Sequence, residues 1–426
     1  MTGDRDARTD GPRVIVVGGG ASGLAAAIGA ARRGARVRVL EAGRRVGRSI
    51  LASGNGRCNF TNRGLAPDAF NDPAYFAAAF GAHPLDDVLA FFDGLGLWYR
   101  EEAQGRLYPR SRTAASVLDL LLGACQRLCV DVQSQVTARA VRPAAPQAGW
   151  VVSATGPDGR GRQGLVADAV VWAAGGGSAG ELCADLGLRH VTERPVLCPL
   201  ATNRDGVAGL DGVRAACGLR VLRDGRDDAG GRRRVVFADA GEVLFRPYGI
   251  SGIVTFDASR LARPGDVVEI DLMPDVGEDD LRDRLADRAA RARAAGAADP
   301  AHFLDGVLHP ALALHVMRDV CGRDGATGRG RGAGGAGGVD VGAVARRLKH
   351  YALEVRGTAD EAHAQVTRGG IATDEVDPAT MAVRGRPGLF ACGEAMDMDA
   401  ACGGFNLSWA WLSGLRAGSR AADVRA

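Results

Sequence analysis

Residues 13–43 read RVIVVGGGASGLAAAIGAARRGARVRVLEAG, and this stretch decides the fold. A short apolar strand over residues 13–17 runs into Gly18, Gly20 and Gly23 in GxGxxG spacing. An Ala-rich helical stretch follows to about Arg33, and a second short strand over 36–40 ends at Glu41. Strand, glycine turn, helix, strand and acid in this order predict a Rossmann-type βαβ unit that binds a dinucleotide. Gly18 permits the tight turn, Gly20 lets a pyrophosphate approach the backbone, and Gly23 lets helix and strand pack closely. The helix N-terminus, with Ala21 and Ser22, faces the negative charge. Glu41, followed by Ala42, stands where an acid accepts both ribose hydroxyls of an adenosine. An acid there disfavours a 2′-phosphate, so the expected dinucleotide is FAD or NAD rather than NADP. GxGxxG alone is weak in a chain with 62 glycines; the ordered flanks carry the reading.

Outward from this unit, length and composition set the bounds. A chain of 426 residues predicts two or three domains, and a hydrophobic fraction of 46% suffices for their cores. A formal net charge of +3 makes no general electrostatic case for nucleic acid or a membrane surface. A small-molecule substrate is therefore expected, with neither nucleic acid nor membrane as partner. No apolar run approaches the roughly 18 residues of a spanning helix. The opening MTGDRDARTD does not read as a secretory signal, so residues 1–12 read as a disordered leader and a cytoplasmic location is expected. Nine cysteines, an odd number with no Cys-x-x-Cys, argue against a disulfide framework or a dithiol centre. The seven histidines show no paired ligand spacing, so no metal is expected. Lys349 is the single lysine, which excludes most lysine-based covalent chemistry.

The segment after Glu41 separates FAD from NAD. A nicotinamide dehydrogenase would continue into another βα unit. Residues 42–62 instead read AGRRVGRSILASGNGRCNFTN, a long Gly/Arg/Asn segment that can run along a large cofactor and offer it backbone N–H groups. Arg44 or Arg45 could cover the adenine end, and Gly47 lies in the same segment. The far end of the chain supplies a partner signal, GLFACGEAMDMDAACGGFNLSWAWLSGLRAG at 388–418. An apolar strand over 388–393 ends in Gly393-Glu394, which places an acid near a ribityl or phosphate group. Gly403, Gly404, Asn406 and Leu407 open a final helix whose N-terminus would stabilise negative charge on a reduced flavin. Trp409 and Trp411 read as packing residues.

Together GGGASGLAAA, SGNGRCNFTN, GISG at 249–252, VTRGG at 366–370, GEAMDMD and GGFNLSWAW resemble the BaiN-like NAD(P)/FAD-dependent oxidoreductases. That family includes bile-acid dehydro-steroid reductases and aminoacetone oxidases. The resemblance runs from residue 14 to about 420. It implies an α/β fold: a glutathione-reductase-like FAD-binding Rossmann domain interrupted by a β-rich domain and a small helical domain. It also implies that Ser53, Gly54, Asn55, Gly56, Arg57, Cys58 and Asn59 line the FAD near its phosphate and ring. Val136 is implied where the family's chain passes the adenine. DAVVWAAGGGS at 168–178 is similar to the family turn that returns to the cofactor, which implies Ala174, Gly175 and Gly176.

The expected boundaries are 13–192 for the first part of the FAD domain, 193–275 for the β-rich insertion, 276–348 for the helical insertion and 349–426 for the return. GRDGATGRGRGAGGAGG at 322–338 has no periodicity and reads as a flexible loop. Residues 130–137 and 149–155 read as strands, and 278–322 as helical. Two departures from the family pattern stand out. Ser178-Ala179-Gly180 leads straight into a helix where many relatives have a longer loop, and Arg246-Pro247-Tyr248 precedes GISG where relatives have Thr-His or Thr-Asp.

Three functional classes are compatible with these features. The first is a reductase, in which NADPH or NADH, bound transiently, reduces non-covalent FAD, which then reduces an electron-poor C=C bond. The second is an oxidase or dehydrogenase acting on an amine or saturated C–C unit. The third is a non-enzymatic flavin-binding sensor. An enzyme is expected. A single dinucleotide fingerprint leaves no dedicated NADPH domain. Candidate catalytic residues are Tyr248 as proton donor, Arg110, Arg368 as a clamp for an anion or the flavin O2, and Cys402, with His363 a weaker candidate.

Overall fold

The computed structural model describes residues 11–144, 149–159, 161–225, 233–295, 299–325 and 339–424. The expected leader and the Gly-rich run at 322–338 lie mostly outside these residues. The chain forms two units, Met1–Arg194 with Val366–Ala426, and Pro195–Gln365.

In the first unit, β1 (Arg13–Val17) lies at the centre of a five-stranded parallel sheet. On one side it pairs with β2 (Arg36–Glu41), which pairs with Asp131–Ser134. On the other it pairs with Ala169–Trp172, which pairs with Leu389–Ala391. Parallel strands are covered on both faces, so they read as unbroken apolar runs; accordingly Val14–Val17 and all of Ala169–Trp172 are buried. Helix α1 (Ala21–Arg32) is buried from Ala21 through Ala31 and packs against the last helix, Phe405–Ala421. Small residues on both make this possible: a Cβ on Gly418 would stand 1.9 Å from the carbonyl oxygen of Ala26. Trp409 and Trp411 are buried, and their indole N–H groups donate to the carbonyls of Gly393 and Phe60 at 2.9 and 3.0 Å. The strand expected over 130–137 is broken at Gln135, where φ is +58°, and a second strand, Thr137–Pro143, starts a three-stranded meander with Trp150–Thr155 and Gly161–Ala167.

The second unit is a closed six-stranded barrel in the order Leu200–Thr202, Gly249–Ser251, Arg233–Arg246, Arg214–Asp224, Val267–Asp271 and Tyr351–Thr358. Helices Glu278–Ala294, Pro310–Gly325 and Val341–Lys349 add Leu281, Leu285, Val316, Met317, Val344 and Leu348 to the same core as Leu219, Val221, Phe245 and Ile270. The β-rich and helical segments therefore share one core instead of forming two. The return expected at 349 falls at Val366, because Tyr351–Thr358 closes the barrel by pairing with both Val267–Asp271 and Leu200–Thr202. Lys349 donates to the carbonyls of Met273 and Val276 at 3.0 and 2.7 Å and pairs with Asp271 at 2.6 Å, which gives the single lysine a structural role. No helix among the described residues is long and apolar enough to cross a membrane, and no group of three or more His, Cys, Asp or Glu among them could hold a metal.

Candidate cofactor site

The glycine turn after β1 has contacts that tolerate no side chain. Gly18 has φ +106°, and a Cβ there would stand 2.3 Å from the Ala173 carbonyl oxygen. A Cβ on Gly23 would stand 1.9 Å from the Gly18 carbonyl oxygen, which is the close helix–strand approach expected of the third glycine. Gly20 is the N-cap of α1 without any side-chain cap, so the first N–H groups of the helix, from Ala21 to Gly23, are left to a ligand. Glu41 bridges two loops: Oε2 accepts the Gly19 N–H at 2.8 Å and Oε1 that of Gly43 at 2.6 Å.

A cleft of about 480 Å³ opens at this point, lined by Gly18, Glu41, Ala42, Val136, Trp172 and Ala174 among others. Val136 is held there by its N–H on the Glu41 carbonyl at 2.9 Å. Sequence reasoning missed Trp172. Its indole N–H is buried and has no hydrogen-bond partner among the described residues, so it is a donor in need of an acceptor from a ligand. The available signal was its place at the C-terminal end of a parallel strand, where such sheets bind ligands.

The SGNGRCN segment explains its own composition. Gly54, Asn55, Gly56 and Cys58 all have left-handed backbones, at φ +56°, +55°, +79° and +57°. Glycine and asparagine enter that region most readily, and successive N–H groups turned inward by such conformations make an anion-binding concavity. Cys58 is wholly buried, and burial pushes its thiol up to about 12, which leaves it a packing group rather than a thiolate. The Ser53 hydroxyl donates to the Ile50 carbonyl at 2.6 Å. The Arg57 guanidinium lies 4.8 Å from the Tyr108 ring centre and 3.4 Å from Glu102. Arg45 is exposed, and the Gly47 N–H donates to the Gly19 carbonyl at 2.9 Å. Asn59 is buried, and its Oδ1 has no partner among the described residues. That oxygen stands 2.9 Å from where a Cβ on Gly404 would be, at the start of the last helix.

The C-terminal residues meet the same region. Gly393 donates its N–H to Ser413 at 3.0 Å, and Glu394 accepts the Thr367 N–H at 2.7 Å. Burial, followed by the charges of Asp399 and Glu193, pushes the Glu394 carboxyl above its ordinary range. A Cβ on Gly176 would stand 2.6 Å from Glu394, so the turn with Ala174 and Gly175 closes on this acid. Gly403 and Gly404 have φ +135° and +98°. The Asn406 amide is occupied by Ala400, accepting its N–H at 2.8 Å and donating to its carbonyl at 2.9 Å. The backbone N–H groups of 405–407 are what this helix end offers, with Leu407 packed partly against the core. Two orphaned buried polar atoms, Trp172 Nε1 and Asn59 Oδ1, together with two helix N-termini and an N–H-lined loop, fit a flavin dinucleotide.

The candidate catalytic residues belong to different elements. Arg368 lies in the strand Val366–Ile371, 22% exposed, with Nε 3.2 Å from the wholly buried Asp399. Asp397 accepts the Gly369 N–H at 3.1 Å, and burial raises its carboxyl. Cys402 is half-buried in the turn before Gly403. Arg110 is exposed at the end of a hairpin, its N–H donating to the Trp98 carbonyl at 2.7 Å. Tyr248 belongs to the barrel unit, half-buried in a strand-connecting turn, and its carbonyl accepts the Thr202 N–H at 2.9 Å. His363 is exposed and pairs with Asp360 at 2.6 Å.

A parallel Rossmann sheet with a glycine turn, an acid-ended second strand and a second helix N-terminus returning from the far end of the chain defines an FAD-dependent oxidoreductase. The chain belongs to the HI0933-like family, whose Rossmann-domain profile matches residues 12–420. It is 32% identical over 436 aligned residues to the 3-dehydro-bile acid delta(4,6)-reductase of Clostridium scindens, covering 96% of this chain and 99% of the relative. It is 27% identical to the ribosomal RNA dihydrouridine synthase of Escherichia coli, covering 94% and 95%. Among solved structures, a flavocytochrome c3 fumarate reductase in its open conformation matches with a TM-score of 0.50 at 15% identity, covering 97% of this chain and 78% of that one.

Proposed function

We propose that the protein reduces a C=C bond conjugated to a carbonyl in a small organic molecule, using non-covalently bound FAD. Full-length likeness at 32% identity to a delta(4,6)-reductase of 3-dehydro-bile acids carries this reading. A dihydrouridine synthase also works on a ring C=C beside a carbonyl, so the two relatives' names have the bond type in common. FAD supplies the hydride chemistry. Glu41, the Gly54–Asn59 loop and the N–H groups at 405–407 hold the cofactor. Arg368, kept in place by Asp399 at 3.2 Å, takes the carbonyl oxygen and stabilises the negative charge that develops there. NADPH or NADH supplies the electrons as a visitor, because the sequence holds one dinucleotide fingerprint.

The test uses the FAD-loaded protein, photoreduced without oxygen and mixed with a 3-oxo-4,6-diene steroid. The expected result is reoxidation of the flavin with loss of the dienone absorbance. A flavin that stays reduced with the dienone, and that amines reduce in a fresh sample, would overturn this reading in favour of an oxidase.

A further inference from the structure

We propose that the hairpin over residues 98–112 is a docking site for NADPH, with Trp98 stacked on the adenine and Arg100, Arg110 and Arg112 on the phosphates. This rests on the reductase reading and names its electron donor. The strands Tyr99–Glu101 and Arg106–Pro109 are antiparallel, with Tyr99 opposite Pro109 and Arg100 opposite Tyr108. The Arg110 N–H on the Trp98 carbonyl extends this ladder by one pair. Opposed residues share a face and alternate residues return to it, so Trp98, Arg100, Glu102, Tyr108 and Arg110 face the same way.

Trp98 is 78% exposed, whereas the next most exposed large hydrophobic residue among the described residues, Ile253, is at 49%. Around it positive charge is in excess. Arg57, Arg100 and Arg112 all converge on one carboxylate, Glu102, at 3.4, 3.7 and 3.2 Å. Three guanidinium groups on one acid leave the face cationic, and the exposed Arg110 adds to it. An aromatic platform ringed by guanidinium forks suits a ligand that joins a purine to several phosphates.

Two observations favour NADPH over other polyanions. Arg57 leaves the cofactor loop to reach this face, its Nε 3.4 Å from the Gly54 carbonyl, so a ligand here lies against the loop that holds the flavin. And the exposed guanidinium groups of Arg100, Arg110 and Arg112 offer charge for a 2′-phosphate beside the pyrophosphate. In the reaction, hydride leaves C4 of the dihydronicotinamide, which becomes the pyridinium of NADP⁺, and both electrons pass to the flavin. No other reductant is needed.

The FAD-loaded protein would be mixed with NADPH or NADH under anaerobic conditions, and 2′,5′-ADP binding followed by tryptophan fluorescence. NADPH should bleach the flavin with a half-saturation roughly tenfold or more below that of NADH, and 2′,5′-ADP but not 5′-AMP should compete. Loss of one stacked ring or one phosphate contact should raise the NADPH half-saturation about tenfold. Trp98→Ala and Arg112→Glu should each do this with the flavin spectrum intact, and Trp98→Phe should restore binding. Equal half-saturation for the two nicotinamides, no bleaching by either, or indifference to both substitutions would overturn the proposal. Binding of oligouridylate in preference to 2′,5′-ADP would reassign the face to RNA and overturn it as well. The dienone test on photoreduced protein involves no nicotinamide, so failure there is distinguishable from failure here.

Discussion

The glycine turn of the first unit and the barrel of the second are held by different means. In the turn, backbone meets backbone: Gly18 against Ala173 and Gly23 against Gly18 leave no room for a methyl group. In the barrel, side chains do the holding: Lys349 ties the segment around Met273 and Val276, and the Tyr351 hydroxyl donates to the Gly206 carbonyl. A ligand that needs bare N–H groups forces the first arrangement, and a barrel filled by its own side chains allows the second. Substitutions should therefore act all-or-none in the turn and by degrees in the barrel.

The largest effect is expected from Gly23→Ala. The added methyl cannot fit 1.9 Å from a carbonyl oxygen, so α1 must shift and the purified protein should be colourless, as its absorption spectrum will show. Retained yellow colour would break the comparison. Glu41→Ala removes the carboxylate that accepts the Gly19 and Gly43 N–H groups and, in the proposed cofactor site, the ribose; at about 1.5–3 kcal/mol for a charged hydrogen bond, FAD should bind roughly 10- to 100-fold more weakly by titration of the apoprotein.

In the barrel, Lys349→Met strands Asp271, which is 27% exposed, so water recovers part of the loss. A decrease of about 1–2 kcal/mol is expected in thermal unfolding of the second unit, with flavin binding unchanged. A smaller effect comes from His315. Burial lowers its pKa below the ordinary 6.5, opposed by Asp319 and the Ala208 carbonyl and assisted by Arg347 and Arg318. Its contribution to stability is thus present in full above 6.5 and is lost as the pH falls through its lower folded value. His315→Gln should flatten the acid side of the melting profile. The smallest effect is expected from Cys58→Ser: the buried thiol is un-ionised, so flavin loading should hold and a thiol reagent should leave Cys58 unmodified in the native protein.

The Rossmann unit was legible because each signal in it is local: a strand, a glycine spacing and an acid at a fixed distance. The left-handed run at 54–56 was legible as a composition, since glycine and asparagine mark the conformation they permit. Trp172 was not, because its lack of a partner depends on what surrounds it in space. The course of the Arg57 side chain was not legible either, because its partners Glu102 and Tyr108 lie 45 and 51 residues away in sequence. The net charge of +3 likewise averages away the cationic face around Trp98.

By itself the sequence determined the class of fold, the dinucleotide fingerprint and the family, because these rest on spacings within a few tens of residues and on motifs spread along the chain. Only the tertiary structure decided that the β-rich and helical insertions share one core and that the chain returns at Val366, because barrel closure pairs Tyr351–Thr358 with strands more than 80 residues earlier. It alone showed which polar atoms are buried without partners and which arginines gather on one face, because burial and convergence are properties of the packed chain and not of neighbours in sequence.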